Sequence, residues 1–302
     1  MTTEQAVASP PSETSQRTEL DLYTRALRDS LTAMPYNSAT AFHTSFGDGA
    51  PDPRFGAACI YQTINSAERA QRLGAPEPVF LQDERHVGAV FHDDGDVIVL
   101  DPYLLHVDAI RFPRAEVDSG ESSIRVEAAP RRLDADGETK RGRLDARYKR
   151  TKDGYVIRLS YSRFGPSRGA YVLSRHFSLR NTSVFDMAEF TTDMRSLVTD
   201  PEQTSVSVRA FVPEICGTAE AIIPLHGYAR KTFSTNDIWL RSSQGVVSRN
   251  QTAGSEPVWE QVTGATTLSR GEIEDHLVEA ARIYQRIADP AADVEPYPLE
   301  NA

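Results

Sequence analysis

The chain has 302 residues, with 33 Lys and Arg against 43 Asp and Glu, a formal net charge of −10 and a pI near 5.3. This acidic balance argues against a general nucleic-acid-binding protein, which needs a basic face. There is no apolar run of the roughly 18 residues that a membrane span needs. The only cysteines, Cys59 and Cys216, exclude a disulfide scaffold and a zinc site built on Cys-x-x-Cys pairs.

The first part of the chain is expected to be helical. Residues 1–18 lack the basic and apolar regions of a secretion signal, so we expect a disordered leader, a cytoplasmic location and reduced thiols. Apolar residues at helical spacing predict a helix over 19–34, capped by Thr18 and ended by Pro35. After a loop rich in Gly, Asp and Pro, a second helix is expected over 58–73.

The middle of the chain has the pattern of antiparallel strands. Short runs rich in Val, Ile and Phe are separated by Gly, Pro and Asp, and Asp93-Asp94-Gly95 is typical of a hairpin turn. Strands are predicted at 79–81, 86–92, 97–100, 123–127, 143–148, 155–161, 171–179, 205–212 and 219–225. A final amphipathic helix is expected over 270–288, with a capping box formed by Ser269 and Glu272.

One stretch of this β region is basic although the protein is acidic. In residues 125–152, Lys and Arg outnumber Asp and Glu. The stretch is either the solvated face of a hairpin or a docking surface for a phosphate-bearing partner. The sequence leaves both interpretations open.

Three residues, Cys59, His86 and Asp101, indicate nucleophilic catalysis. Cys59 begins the second predicted helix, where the positive end of the helix dipole favours a thiolate and free N–H groups can bind an oxyanion. His86 begins one strand of the predicted hairpin and Asp101 follows the other. If Asp93-Asp94 form a two-residue loop, positions 86 and 101 face each other; other turn types shift this by a residue or two. A carboxylate so placed orients an imidazole, which can deprotonate a thiol.

At these residues the chain resembles the arylamine N-acetyltransferase family of papain-like and transglutaminase-like Cys-His-Asp enzymes. Met34-Pro35-Tyr36-Asn37 is similar to the family's I-P-F-x-N segment, and Cys59 stands where its R-G-G-x-C motif has the nucleophile. His86 and Asp101 are fifteen positions apart, as in the family. The motifs are partial: Phe55 replaces the Arg, and Tyr61 replaces a Glu usually found two residues after the Cys. Such changes around a retained triad favour a different acyl substrate.

The resemblance implies an α+β fold of the arylamine N-acetyltransferase type with a papain- or transglutaminase-like core. A helical bundle with the nucleophile is expected over 19–84, a central antiparallel β-barrel with His and Asp over 85–215, and a C-terminal α/β lid with the last helix over 216–302. Substrate-pocket residues are expected at Tyr36, Phe55, Tyr61, Gln62, Tyr103 and His226. No metal and no permanently bound cofactor are expected.

The resemblance also implies acyl transfer from a thioester carried by coenzyme A or by the phosphopantetheine of a carrier protein. The changed motifs favour a Dieckmann-type cyclase that releases a carrier-bound chain as a tetramic acid-like ring. Transfer to an amine, as in arylamine N-acetyltransferases and amide synthases, and hydrolysis by a transglutaminase-like thiol enzyme remain alternatives. A member without activity that acts as a binding protein is the non-enzymatic alternative.

Overall fold

The structure, a computed structural model, describes residues 21–49, 51–188 and 194–299. The predicted leader, residues 1–18, lies outside them. The helices are α1 (Leu22–Ala33), α2 (Thr40–Phe46), α3 (Cys59–Arg72), α4 (Arg114–Ser119), α5 (Met194–Val198), α6 (Glu256–Thr266) and α7 (Arg270–Ile287). The strands are β1 (Tyr36–Asn37), β2 (Val79–Asp83), β3 (His86–Asp93), β4 (Asp96–Leu100), β5 (Ile110–Phe112), β6 (Glu121–Leu133), β7 (Thr139–Thr151), β8 (Gly154–Gly165), β9 (Ala170–Arg180), β10 (Ser205–Val212), β11 (Gly217–Pro224), β12 (Trp239–Arg241) and β13 (Val247–Arg249).

The strands form three antiparallel sheets in a mixed α+β fold. Their orders are β1-β10-β11-β12-β13, β2-β3-β4-β5 and β6-β7-β8-β9. The expected central barrel is wrong, because none of the three sheets closes on itself or joins another into a barrel. Beyond the sheets, the described residues form isolated bridges such as Leu81–Val184 and His106–Ala128, each between a strand and a residue outside the strands. A barrel requires continuous hydrogen bonding between its edge strands. The predicted helical, barrel and lid segments all contribute strands to the five-stranded sheet.

The register of the β3–β4 hairpin is shifted by two residues from the one expected for an Asp93-Asp94 loop. Asp93 pairs with Asp96, so Asp94 and Gly95 are the loop residues. Both have positive φ, 49° and 89°, as a type I′ turn requires, and an Asp-Gly pair adopts this conformation readily. His86 therefore does not lie directly opposite Asp101, although the predicted antiparallel hairpin itself is present.

The helix predictions agree with the structure to within a few residues. α1 begins after Asp21, whose side chain accepts hydrogen bonds from two backbone N–H groups of the first turn. α7 has the predicted capping box between Ser269 and Glu272. Cys216 is buried in a left-handed conformation after a 3₁₀ turn, immediately before β11.

Two large apolar cores hold these elements together. The first joins α1 and α3 to the sheets β2–β5 and β6–β9. The second packs α2, α6 and α7 against the five-stranded sheet. The amphipathic helices supply one apolar stripe each, and the sheets supply the facing side chains. The segment between β1 and α3 contributes Ala39 and Phe42 to the second core.

Much of the basic stretch 125–152 is neutralised within its own hairpin. Arg125 pairs with Asp145, and both Arg131 and Arg141 pair with Glu127. These contacts favour the interpretation of a solvated hairpin face for that part of the stretch.

Among the described residues, no helix is both long and apolar enough to cross a membrane.

Candidate active site

A close approach between two loops fixes the start of α3. The backbone N–H of Asn37 donates to the Ala57 carbonyl at 2.8 Å, and the N–H of Ala57 donates to the Pro35 carbonyl at 3.1 Å. Gly56 has φ 77°, and a Cβ there would lie 2.0 Å from the Pro35 oxygen. Only glycine satisfies both conditions, and the chain then enters the helix at Cys59.

The first turn of α3 leaves its backbone donors available. The residue before the helix, Ala58, makes no side-chain capping bond, so no side chain of that residue competes for the N–H groups of the first turn. Cys59 is a free, partly exposed thiol at this positive end of the helix. It packs beside a small apolar cluster of Ile60, Val87 and Phe185.

His86 and Asp101 form a buried hydrogen-bonded pair. The His86 Nε2 lies 2.6 Å from the Asp101 Oδ2, and the two side chains are 4% and 0% exposed. The backbone N–H of Asp101 donates to His106 Nε2 at 3.0 Å, while His106 Nδ1 donates to the Asp108 carbonyl at 2.7 Å. His106 is therefore neutral, in agreement with a pKa that burial lowers, and it fixes the backbone of Asp101.

The environment of His86 favours its protonated form. Burial by itself lowers the pKa of His86, but the charge and hydrogen bond of Asp101, with the interaction of Cys59, outweigh burial and raise it to about 10. The other ring nitrogen, Nδ1, is buried and has no hydrogen-bond partner of normal geometry in the part of the chain described. His86 thus has one nitrogen held by a carboxylate and one available to the thiol.

Aromatic rings enclose the imidazole. Phe177 of β9 stacks on His86, with ring centroids 3.7 Å apart and an interplanar angle of 15°. Tyr103 lies at 5.5 Å from the His86 ring and at 5.3 Å from the Tyr36 ring. Burial, then the neighbouring Tyr103 and Cys59, raises the pKa of Tyr36 well above its ordinary value, so its phenol stays protonated.

Two arginines hold these tyrosines. The Arg209 guanidinium lies 4.8 Å from the Tyr36 ring centroid and 5.1 Å from that of Tyr103, and it donates to the Tyr103 carbonyl at 3.2 Å. Arg175 Nε donates to the Tyr103 hydroxyl at 3.1 Å. Tyr103 is therefore fixed both at its backbone and at its hydroxyl, beside the His86 ring.

Cys59 and His86 open into a cavity of about 600 Å³, a size typical of small-molecule sites. Of the residues expected in a substrate pocket, Tyr36 and Tyr103 line it. Its other walls include side chains that the sequence analysis did not select: Asp83, Glu84, Arg85, Arg163, Arg168, Val172, Leu173, Arg175, Phe177, Glu202 and Tyr297. Asp83, Glu84 and Arg85 directly precede His86 in the chain, whereas the others come from turns and strands distant in sequence. No local pattern marks any of them.

The other four expected pocket residues do not line this cavity. Phe55 stacks on His276, with centroids 4.0 Å apart, at the edge of the second core. Gln62 is buried and donates from its amide to the Met34 carbonyl. His226 Nδ1 donates to the Val294 carbonyl, and Tyr61 lies on α3 outside the cavity wall.

A buried ion pair fixes one wall of the cavity. Glu220 is 5% exposed, pairs with Arg241 and accepts a hydrogen bond from the Ser207 hydroxyl at 2.9 Å. Arg241 also donates to the Tyr297 hydroxyl at 2.9 Å. Burial opposes ionisation of Glu220, but Arg241 and Arg209 outweigh it and lower its pKa. The pair thus holds Tyr297 and the C-terminal segment against the site.

Comparison with known proteins gives one weak structural likeness. No family model matches the chain, and no curated protein matches it. A search of solved structures finds similarity to the arylamine N-acetyltransferase from Mycobacterium abscessus, at 14% sequence identity and a TM-score of 0.49, covering 86% of this chain and 87% of that one. A likeness of this degree does not establish a function, so the chemistry has to be inferred from the side chains of the site.

Proposed function

We propose that the protein is an acyl-transfer enzyme that uses Cys59 as nucleophile, His86 as base and Asp101 as the residue that orients the base. The observation that supports this most strongly is the buried His86–Asp101 pair at 2.6 Å, with Cys59 at a helix N-terminus in the same cavity. This is the arrangement that covalent catalysis requires: a nucleophile beside a base, and the base oriented by a carboxylate. The acyl donor is a thioester.

In the first half-reaction the Cys59 sulfur attacks the thioester carbonyl. A carbon–sulfur bond forms, and the carbonyl electron pair moves onto oxygen as an oxyanion. Backbone N–H groups at the start of α3 and the protonated phenol of Tyr36 are the donors available to it. When the oxyanion collapses, the bond to the donor thiol breaks, and His86 gives its proton to the departing thiolate. The product is an acyl-Cys59 intermediate.

In the second half-reaction a nucleophile from the acyl chain itself attacks the acyl-Cys59 carbonyl. In a Dieckmann-type closure, His86 removes a proton from the carbon between an amide and a ketone. The resulting carbanion forms a carbon–carbon bond, and the Cys59 thiolate leaves. Holding both ends of one chain together provides an effective concentration of roughly 10⁵–10⁸ M in well-oriented cases. The apolar and aromatic part of the cavity, with Val172, Leu173 and Phe177, suits such a chain.

The test is the mass of the intact protein after exposure to N-acetylcysteamine thioesters and carrier-linked thioesters. We expect an acyl adduct on the unmodified chain and none on Cys59→Ala. Cys216→Ala is the matched control, because Cys216 is buried in the first core and does not line the cavity. An adduct that persists in Cys59→Ala, or that is lost equally in both folded variants, contradicts the proposal.

The released product identifies the acceptor. With a donor whose chain contains a β-keto amide, cyclisation gives a product one water lighter than the hydrolysed acid. Transfer to an added amine gives the amide, and the free acid alone indicates a thiol hydrolase. A product of either of the last two kinds contradicts the cyclase while leaving the Cys59 adduct in place.

A further inference from the structure

The hydroxyl of Tyr36 is an unused hydrogen-bond donor in the cavity that contains Cys59. Tyr36 lines this cavity, and within the part of the chain that the structure describes its hydroxyl makes no hydrogen bond. Nor is that oxygen one of the side-chain atoms buried without a partner. It therefore faces the cavity, where an atom of a bound ligand can accept its hydrogen bond.

Backbone contacts fix Tyr36 beside the start of α3. Tyr36 forms a parallel bridge with Ala57, two residues before Cys59. On its other side it pairs with Arg209 of β10. The main chain thus sets the position of the ring from both sides, and that position does not depend on the hydroxyl.

The first turn of α3 borders the cavity at one residue. Cys59 lines the cavity, whereas the residues that follow it in the same turn, Ile60, Tyr61 and Gln62, do not. An oxyanion is stabilised by donors that point at the developing charge, and two donors usually share it. A donor from another element is therefore needed beside the backbone of Cys59, and Tyr36 is the cavity residue that the main chain ties to this turn.

Arg209 holds a positive charge over the Tyr36 ring. Its guanidinium lies 4.8 Å from the centroid of that ring, and it donates to the Tyr103 carbonyl at 3.2 Å, while its Nε is buried without a partner. A cation in this position stabilises the partial negative charge that a phenol oxygen gains when it donates to an anion. Burial raises the pKa of Tyr36, so the phenol keeps the proton that it needs as a donor.

We infer that the Tyr36 hydroxyl is the catalytic donor that stabilises the oxyanion formed when Cys59 is acylated, and that Arg209 is the positioning residue that holds and polarises its ring. The inference rests on the proposed function for the reaction and adds which side chain stabilises its transition state. The phenol proton stays on Tyr36 throughout. Its hydrogen bond strengthens as the carbonyl electron pair moves onto oxygen and weakens again when the donor thiolate leaves, whereas the transferred proton is the one on His86.

The test compares the acylation of Cys59 with its alkylation in Tyr36→Phe. Attack on an N-acetylcysteamine thioester forms an oxyanion, whereas iodoacetamide loses iodide from a saturated carbon and forms none. Because one oxyanion donor changes a rate by a factor of roughly 10²–10³, we expect acylation of Tyr36→Phe to be slower by that factor under single-turnover conditions. Alkylation at pH 6.5 is expected at the parent rate. Intact mass follows both reactions in a Cys216→Ala background.

Tyr284→Phe is the matched control. Tyr284 is a buried tyrosine whose hydroxyl makes no hydrogen bond among the described residues, but it packs in the second core and lies outside the cavity. We expect this variant to acylate and alkylate at the parent rates. Equal acylation rates in Tyr36→Phe and the parent overturn the inference, and so does a parallel fall of acylation and alkylation in Tyr36→Phe.

A double-mutant cycle tests the role of Arg209. Arg209→Gln removes the charge over the ring, and we expect acylation to slow about tenfold with alkylation at the parent rate. In Tyr36→Phe the same change is expected to have no further effect, because Arg209 acts through the hydroxyl. Additive losses in the double variant, or slower alkylation in Arg209→Gln, contradict the assignment of Arg209.

The outcomes also separate this inference from the proposed function. A parent protein that forms no Cys59 adduct contradicts the proposed function and the inference with it. A parent protein that forms the adduct at a rate that Tyr36→Phe matches contradicts the inference alone.

Discussion

At the scale of single residues, the charge of Asp101 has one direct partner. Its Oδ2 bonds to His86, whereas Oδ1 is buried without a partner among the described groups. His106 fixes the backbone of Asp101 but, being neutral, does not neutralise the carboxylate. A buried carboxylate is stabilised when its neighbour carries a proton. The pair therefore keeps His86 cationic at neutral pH. A cationic imidazole is the counter-charge that stabilises a thiolate at Cys59.

Replacing this carboxylate should reduce the reactivity of the thiol. In Asp101→Asn the main cause that raises the His86 pKa, the charge of Asp101, is lost, and burial then favours the neutral ring. We expect iodoacetamide to alkylate Cys59 about tenfold more slowly at pH 6.5, measured by mass spectrometry in a Cys216→Ala background. Asp108→Asn is the control, because that carboxylate pairs with Arg28 near the surface. Equal rates in Asp101→Asn and its parent would show that the carboxylate does not act through His86.

At the scale of elements, the position of Cys59 depends on how the chain enters α3. The loop before the helix lies against the segment that begins β1, and the two are joined by backbone hydrogen bonds at Ala57. Gly56 permits that contact through its positive φ and its missing Cβ. The first helical residue is therefore set by backbone geometry outside the helix, and the helix dipole then acts on whichever side chain stands there.

A methyl group at Gly56 should separate the two segments. In Gly56→Ala the new Cβ would overlap the Pro35 oxygen, so we expect a loss of about 2 kcal/mol or more in the free energy of unfolding, together with loss of the Cys59 adduct. Urea unfolding and intact mass measure the two effects. Gly74→Ala is the matched control: φ is 105° there, but no atom lies within 4 Å of the new Cβ. Equal destabilisation in the two variants would mean that the clash is unimportant.

At the scale of the whole molecule, a buried histidine links the early loops to the last helix. His276 of α7 stacks between His43 and Phe55, at 4.2 and 4.0 Å, and its Nε2 lies 3.0 Å from the Asn37 amide nitrogen. The amide nitrogen is a donor, so Nε2 accepts and the ring is neutral. Burial, then the neighbouring His43, lowers the pKa of His276 to about 3. The contact holds α7 to the segment that contains β1.

This histidine makes the fold sensitive to acid. Its pKa is lowered on folding, so its contribution is complete above the unfolded value of about 6.5 and is lost as the pH falls toward 3. We expect the free energy of unfolding to fall by up to about 1.4 kcal/mol per pH unit below 6.5 through this group. Urea unfolding between pH 7 and 4 should show a shallower decline in His276→Gln than in the parent. His226→Gln, at an exposed position, should leave the decline unchanged. Parallel curves for His276→Gln and the parent would contradict the assignment.

Elements whose causes are local can be predicted from the amino-acid sequence. The apolar stripe and cap of α7, the Asp-Gly turn of the β3–β4 hairpin and the alternation of the middle strands depend on neighbours within a few residues. For the same reason Cys59 could be expected at the start of a helix, and His86 and Asp101 at adjacent strand ends. The register of the hairpin differs by two positions from the expectation, because Asp93-Asp94 and Asp94-Gly95 both suit a two-residue loop and the structure uses the second pair.

Which segments surround the nucleophile depends on the tertiary structure. Phe177 and Arg163 belong to long strands whose local pattern marks a half-buried face and nothing more. Their placement in the wall of the cavity that contains Cys59 and His86 follows from how the open sheets pack against α3 and against each other. Such contacts are fixed by the joint burial of distant apolar faces. The absence of a closed barrel among the described strands has that same non-local cause.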